Sequence, residues 1–195
     1  AISVFSFHPV KMITSGEGGM ALTNDSKLLK KLRLFRSHGI TSNSEDMYSR
    51  PPELIWNYQQ IELGFNYRMT DIHAALGLNQ LKRLDEFVTK RQNIAKRYNQ
   101  LLMDLPVITP WQHEDSYSSY HLYLVQLDFK DKNSHHRVYN ALREDGVLVN
   151  LHYIPIYRQP YYEQLGFKEG YCPEAEKYYK SVLSIPIFTR LLDEE

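Results

Sequence analysis

The sequence predicts an α/β fold in two parts. Three observations carry that expectation: short apolar runs bounded by Gly, Pro and Asn at the start, charged stretches with helical apolar spacing and cap residues after them, and a β-α-β order beyond Pro106.

In chain order, ISVFSF (residues 2–7) alternates apolar and small residues and reads as a short strand. HPVKMITSGEGG (8–19) cannot be helix, because Pro9, Gly16, Gly18 and Gly19 punctuate it. MALTN (20–24) is a second short strand. Asp25 caps a helix over about 26–37, with Leu28, Leu29, Leu32, Leu34 and Phe35 clustered between lysines, and Gly39 ends it. Residues 40–62, with Pro51 and Pro52, show no clear period and read as a long loop, a class that is often functional when ordered. Thr70 or Asp71 then caps a helix that runs, with breaks, to about residue 104. Ile72, Ala75, Leu76, Leu81 and Leu84 give it an apolar face; its charged second half is expected to leave the core and bridge two parts of the molecule. Past Pro106, VITP, SYHLYLVQLDF and VLVNLHYI read as strands. SHHRVYNALREDG between the last two is a helix with Ser134 as N-cap and Gly146 just past its end. Pro173 begins a further helix, PEAEKYYKSVL.

Composition narrows the function classes. The mix of 43% hydrophobic and 24% charged residues is that of a soluble globular protein. Lys+Arg and Asp+Glu are 23 each, so no electrostatic pull toward nucleic acid or an anionic membrane is expected. The single cysteine, Cys172, cannot form an internal disulfide, and no apolar run reaches the ~18 residues of a membrane span. The expected location is the cytoplasm. No His/Cys/Asp cluster has metal-ligand spacing, so no metal is expected. The 15 tyrosines suit a core, a polar-ligand site or a subunit interface.

Lys11 is the first residue with chemical promise. A lone loop lysine is most often a solvated charge. Here a strand precedes it, Pro9 stiffens the approach, and nearby glycines allow close backbone packing. A lysine so held can form a Schiff base with a carbonyl, and the Ser6 hydroxyl could bond a phosphate on the same ligand. GEGG is not a phosphate-binding fingerprint, since the lysine precedes the glycines, and reads as a turn.

SFHPVKMITSGEGGMALTND, KLRLFRSHGI and GFNYRMTDIHAALGLNQLKRLDE, in that order, resemble the DegT/DnrJ/EryC1/StrS family of sugar aminotransferases, which use pyridoxal 5'-phosphate (PLP). YHLYLVQL, VLVNLHYIPIYRQPYYEQLGF and SIPIF resemble the family's small domain. The resemblance implies the PLP-dependent transferase fold type I (aspartate aminotransferase-like), C-terminal half. Residues 1–104 would be the end of the PLP-binding large domain with its connecting long helix, and 105–195 the small α/β domain without its last helix.

The same resemblance implies roles. Lys11 matches the lysine that forms the Schiff base with PLP and moves protons, Ser6 the serine on the PLP phosphate, and Asn66 an asparagine that reaches the phosphate in the neighbouring subunit of a homodimer. His8 reads two ways, as a substrate contact near Lys11 or as packing at the strand end. His152, Tyr153 and Tyr157 match a segment near the active site, and read either as contacts to a nucleotide-sugar or as aromatic packing behind Pro155. The implied reaction carries an amino group from an amino-acid donor, L-glutamate, to C4 of a UDP-linked 4-keto-6-deoxy sugar. Because the resemblance starts just before the lysine, the chain is expected to be an N-terminally truncated fragment, inactive by itself. Two other readings stand beside this one. One is a sugar dehydratase, which carries histidine at the lysine position. The other is a non-catalytic dimerisation or regulatory module.

Overall fold

A computed structural model describes residues 1–48, 54, 56–128 and 134–192, in two units, Ala1–Leu84 and Asp85–Glu195.

The first unit begins with a hairpin. Strands β1 (Ser3–Ser6) and β2 (Gly19–Leu22) pair antiparallel, with Ser6 opposite Gly19. Helix α1 (Ser26–Arg36) starts as expected: Asp25 Oδ1 accepts from the Lys27 and Leu28 amides at 2.8 and 3.1 Å. Such a cap satisfies donors the first helical turn leaves open, about 1 kcal/mol. The expected 40–62 loop holds more structure than its composition showed. Strands β3 (Ile40–Thr41) and β4 (Gln59–Gln60) pair antiparallel, and Ser44–Asp46 forms a 3-10 turn. Gln59 explains the miss: it is buried, and its side-chain amide bonds both the N–H and the C=O of Tyr48, at 2.7 and 3.0 Å. A side chain here replaces the ladder that a periodic pattern would have advertised. Pro51 and Pro52 lie outside the described residues. The GFNY segment runs back along the end of α1, with the Phe65 and Tyr67 amides donating to the Phe35 and Arg36 carbonyls at 2.7 and 2.9 Å. Helix α2 (Asp71–Leu81) follows, and Thr70 is its cap. Its expected apolar face is not covered: Ile72, Leu76 and Leu81 are exposed, as are Val4, Phe5, Met20 and Leu22 of the hairpin.

The expectation of breaks in the long helix is met at Lys82 and Arg83, a position the sequence did not single out, and α3 (Leu84–Leu101) follows. The expectation that the charged half leaves the core is wrong. Ala95 is 1% exposed, and Ile94, Tyr98 and Leu102 pack against the same core; apart from buried Arg91 most charges of the helix are exposed, and there Lys90 pairs with Glu86 at 2.8 Å. Beneath this helix lies an antiparallel sheet in the order β5 (Val107–Ile108), β6 (Tyr123–Leu127), β7 (Val182–Ile185). Helix α4 (Ser134–Glu144) adds Val138, Tyr139 and Leu142 to the core around Tyr123, Val125 and Leu183. Short helices α5 (Pro160–Gln164) and α6 (Pro173–Tyr179) each begin on a proline, whose missing N–H costs nothing there.

Two sequence assignments fail in this unit. VLVNLHYI is not a strand: only Asn150 pairs with Ser184 of β7, and the next amide, Leu151 N–H, donates to the Asn150 side chain at 2.8 Å. A side chain that takes the backbone donor stops the ladder. The helix from Pro173 ends at Tyr179 rather than running through SVL, because Val182 and Leu183 are buried as β7 residues. Burial in the sheet outweighs a weak helix preference.

Arg91 ties α3 to the sheet's connections. The buried guanidinium donates through Nη1 to the carbonyls of Tyr120, His121 and Ile187 at 3.0, 3.3 and 2.9 Å. Arg91→Met fills the stem volume but strands buried acceptors, so denaturant unfolding is expected to show a loss of roughly 3 kcal/mol.

Candidate active site

The loop between β1 and β2 is built by local hydrogen bonds. The Phe7 amide donates to Gly18 O at 2.9 Å, continuing the hairpin one step past Ser6. The Lys11 amide donates to His8 O at 3.0 Å and closes a turn, and the Ser15 amide returns to Phe7 O at 3.1 Å. The Thr14 hydroxyl donates to the same Phe7 carbonyl at 2.9 Å and accepts from the Gly16 amide at 2.9 Å. Ser15 is wholly buried, and its hydroxyl donates to Glu17 O at 2.7 Å.

The turn lies hard against the segment that starts α2. A Cβ at Gly18 would sit 2.6 Å from Met69 Cε and 2.9 Å from Ser15 Oγ, and one at Gly77 would sit 3.4 Å from Ser15 Cβ. Gly18 has φ +138° and Gly16 φ +82°, conformations that side chains resist. The glycines therefore serve a close approach, and α2 backs the loop that carries Lys11.

Within this unit the expected residues fall as follows. Ser6 ends β1, is exposed, and its hydroxyl accepts from the His8 amide at 3.4 Å. Lys11 is half-buried at the turn. His8 is exposed rather than packed, and its ring reaches toward Glu17 at 3.9 Å. Asn66 sits in the GFNY segment, where it bridges Ser37 through the backbone and leaves its side chain exposed. In the second unit, His152 stacks edge-on against Tyr153 with ring centroids 4.5 Å apart. Its buried Nδ1 meets no hydrogen-bond partner among the described residues, and desolvation lowers the ring's pKa. Tyr153 is exposed. The Tyr157 hydroxyl is already engaged: it donates to Glu176 Oε1 at 2.5 Å, and burial followed by that bond raises its pKa. Sequence reasoning missed Ser15 and Glu176. The Thr-Ser pair before glycine was a signal for Ser15; Glu176 has the sequence setting of any acid in a first helical turn.

A lysine on a hydrogen-bonded turn and a serine at the end of the strand that leads into it are the residue types that suit a ligand offering both a carbonyl carbon and a phosphate. The DegT/DnrJ/EryC1/StrS aminotransferase family matches the chain over residues 1–195, and the chain belongs to that family. It is 37% identical over 186 residues to the UDP-4-amino-4,6-dideoxy-N-acetyl-beta-L-altrosamine transaminase of Campylobacter jejuni strain NCTC 11168, covering 95% of this chain and 46% of that protein. Among solved structures it is similar to Helicobacter pylori PseC, an aminotransferase of pseudaminic acid biosynthesis, with TM-score 0.86, 34% identity, and 99% of this chain and 49% of that one covered. The sugar aminotransferase Spr1654 of Streptococcus pneumoniae, in its PLP form, gives TM-score 0.86 and 28% identity over 99% of this chain and 48% of that one. The fold is accordingly the C-terminal half of the type I PLP-dependent transferase fold, and the chain spans about half the length of the curated relatives it matches. No helix among the described residues is long and apolar enough to cross a membrane.

His152 makes a pH prediction. Because its folded pKa is lowered, the unfolded chain takes the proton first. Its contribution to stability is present above the ordinary value of about 6.5 and is lost as pH falls through the lower folded value. In His152→Gln, the fall of the urea midpoint between about pH 7 and pH 5 is expected to be shallower than in the parent.

Proposed function

We propose that the whole protein is a nucleotide-sugar aminotransferase that uses PLP and carries an amino group from L-glutamate to C4 of a UDP-linked 4-keto-6-deoxy sugar. The observation that carries this reading is the Lys11 turn, sealed by wholly buried Ser15 and backed by α2, in a chain of this family. Residues 1–104 are read as the end of the PLP-binding large domain with its connecting helix, and 105–195 as the small domain.

Lys11 and Ser6 would hold the cofactor, the amine at its aldehyde carbon and the hydroxyl at its phosphate, and Asn66 would reach the phosphate held by a neighbouring subunit. When bound, PLP supplies an electron sink for bond-breaking at the amino-bearing carbon. Lys11 Nζ is the base that removes a proton from that carbon of the donor; in the second half-reaction the same nitrogen delivers a proton to C4 of the sugar. Ser6 keeps its role at any working pH, because a hydroxyl binds phosphate without titrating. His8, on the same loop as Lys11, and His152 and Tyr153 of the second unit are read as substrate contacts. The exposed apolar residues of α2 and the β1–β2 hairpin support assembly with further protein surface, as a homodimer would provide.

In the whole protein loaded with PLP, Lys11→Ala is expected to cut turnover by at least ~100-fold, with partial recovery on adding a small primary amine. Ser6→Ala is expected to weaken PLP retention roughly tenfold. A Lys11→Ala variant that transaminates at the parental rate would overturn the reading.

A further inference from the structure

The segment Leu151–Ile156 leaves the sheet at one point and is caught again at another. At the first, Asn150 and Ser184 of β7 exchange both backbone hydrogen bonds, at 3.0 and 2.8 Å. At the other, the Tyr157 hydroxyl donates to Glu176 Oε1 of α6 at 2.5 Å. Between them Tyr153, Ile154 and Ile156 are exposed. Both posts belong to one continuous piece of chain, since α6 ends at Tyr179 and β7 begins at Val182. Both are buried: Glu176 is 8% exposed and Ser184 is 6% exposed.

Glu176 is unusual for a helical acid. Beyond Tyr157, its Oε1 accepts from the Gly170 amide at 2.7 Å, which brings the 168–172 turn to the same atom. Arg158, next along the strap, stands 4.0 Å from Glu176 and pairs with Glu163 at 3.2 Å and Glu169 at 3.4 Å; Lys180 lies 3.8 Å from Glu169. The Tyr157 oxygen also lies 3.3 Å from both the backbone N–H and the C=O of Cys172. A buried carboxylate with two close donors and a cation nearby is a satisfied anchor, not a group waiting for a ligand.

We propose that Tyr157 and Glu176 are positioning residues. With the Asn150–Ser184 pairing, they hang residues 151–156 as a strap between two posts on the α6–β7 piece and so fix where His152 and Tyr153 meet the nucleotide-sugar. The strap's geometry stands on the hydrogen bonds above; its use rests on the reading that His152 and Tyr153 contact substrate. On this account Tyr157 acts through the segment it holds rather than by touching the sugar.

The test uses Tyr157→Phe, Glu176→Gln and Glu176→Ala in the whole protein, with hydrogen exchange and steady-state kinetics on a UDP-linked 4-keto sugar as the two readouts. In Tyr157→Phe and Glu176→Ala, the hydrogen-bonded amides of the segment 151–158, those of Leu151 and Arg158, are expected to exchange roughly tenfold faster while those of β6 and β7 keep their protection. KM for the sugar is expected to rise roughly tenfold with kcat within about twofold of the parent. Glu176→Gln, whose side-chain oxygen can still accept from Tyr157 and Gly170, is expected to recover most of both effects. Tyr157→Phe removes one hydroxyl and keeps the test decisive if Glu176→Ala does not fold. Unchanged exchange over 151–158 in Tyr157→Phe would overturn the strap. Faster exchange spread through β6 and β7, with KM and kcat both impaired, would reduce it to general stability. If the parent turns over no UDP-linked 4-keto sugar, the functional reading fails, and the exchange readout decides the strap without it.

Discussion

The first unit depends on one close contact, the turn Ser15–Gly18 pressed against Met69 and α2. Ser15 has no exposure, and its neighbour Gly18 leaves no room for a Cβ beside Met69 Cε. With that contact fixed, the hydrogen bonds converging on Phe7 O and Gly18 O determine the path of the loop, and the path determines where Lys11 emerges. The lysine owes its setting to residues that have no chemistry of their own. A lysine at the same position on a loose loop would be an ordinary solvated charge.

The second unit solves a different problem with the same means. Its core is conventional, with α3 and α4 over a short antiparallel sheet around Tyr123 and Leu183. Its polar connections are the unusual part. Arg91 directs one guanidinium nitrogen to three carbonyls, and Glu176 gathers Tyr157 and Gly170 on one oxygen. Each is a buried charged group holding loops to a helix, and each is costly to leave half satisfied. Rigid loops are what a site built from loop residues requires.

Much of this was legible in the sequence, and the failures have physical causes. Asp25, Thr70 and Pro173 announced their helices because caps and first-turn prolines act locally. The lysine and glycine pattern announced the hairpin loop for the same reason. What local pattern could not reveal were assignments decided by distant partners. The Asn150 side chain took the backbone donor that would have extended a strand, and Gln59 stood in for a strand's ladder. Val182 and Leu183 went to the sheet although they continue a helical run. Glu176 has the pattern of a solvated first-turn acid, and its partners lie 6 and 19 residues away. Ser6, Lys11 and Asn66 were recognisable only through motifs that resemble a family, since spacing alone left each of them ambiguous.

In the reading proposed for this family member, the turn singles out Lys11 among the lysines to capture PLP. Borohydride reduction of the PLP-loaded whole protein, followed by proteolysis and mass spectrometry, tests it most directly. One pyridoxyl-modified peptide from this chain is expected, carrying its label on Lys11. A label on Lys27, Lys30 or Lys31 at comparable yield, or none on Lys11, would contradict it.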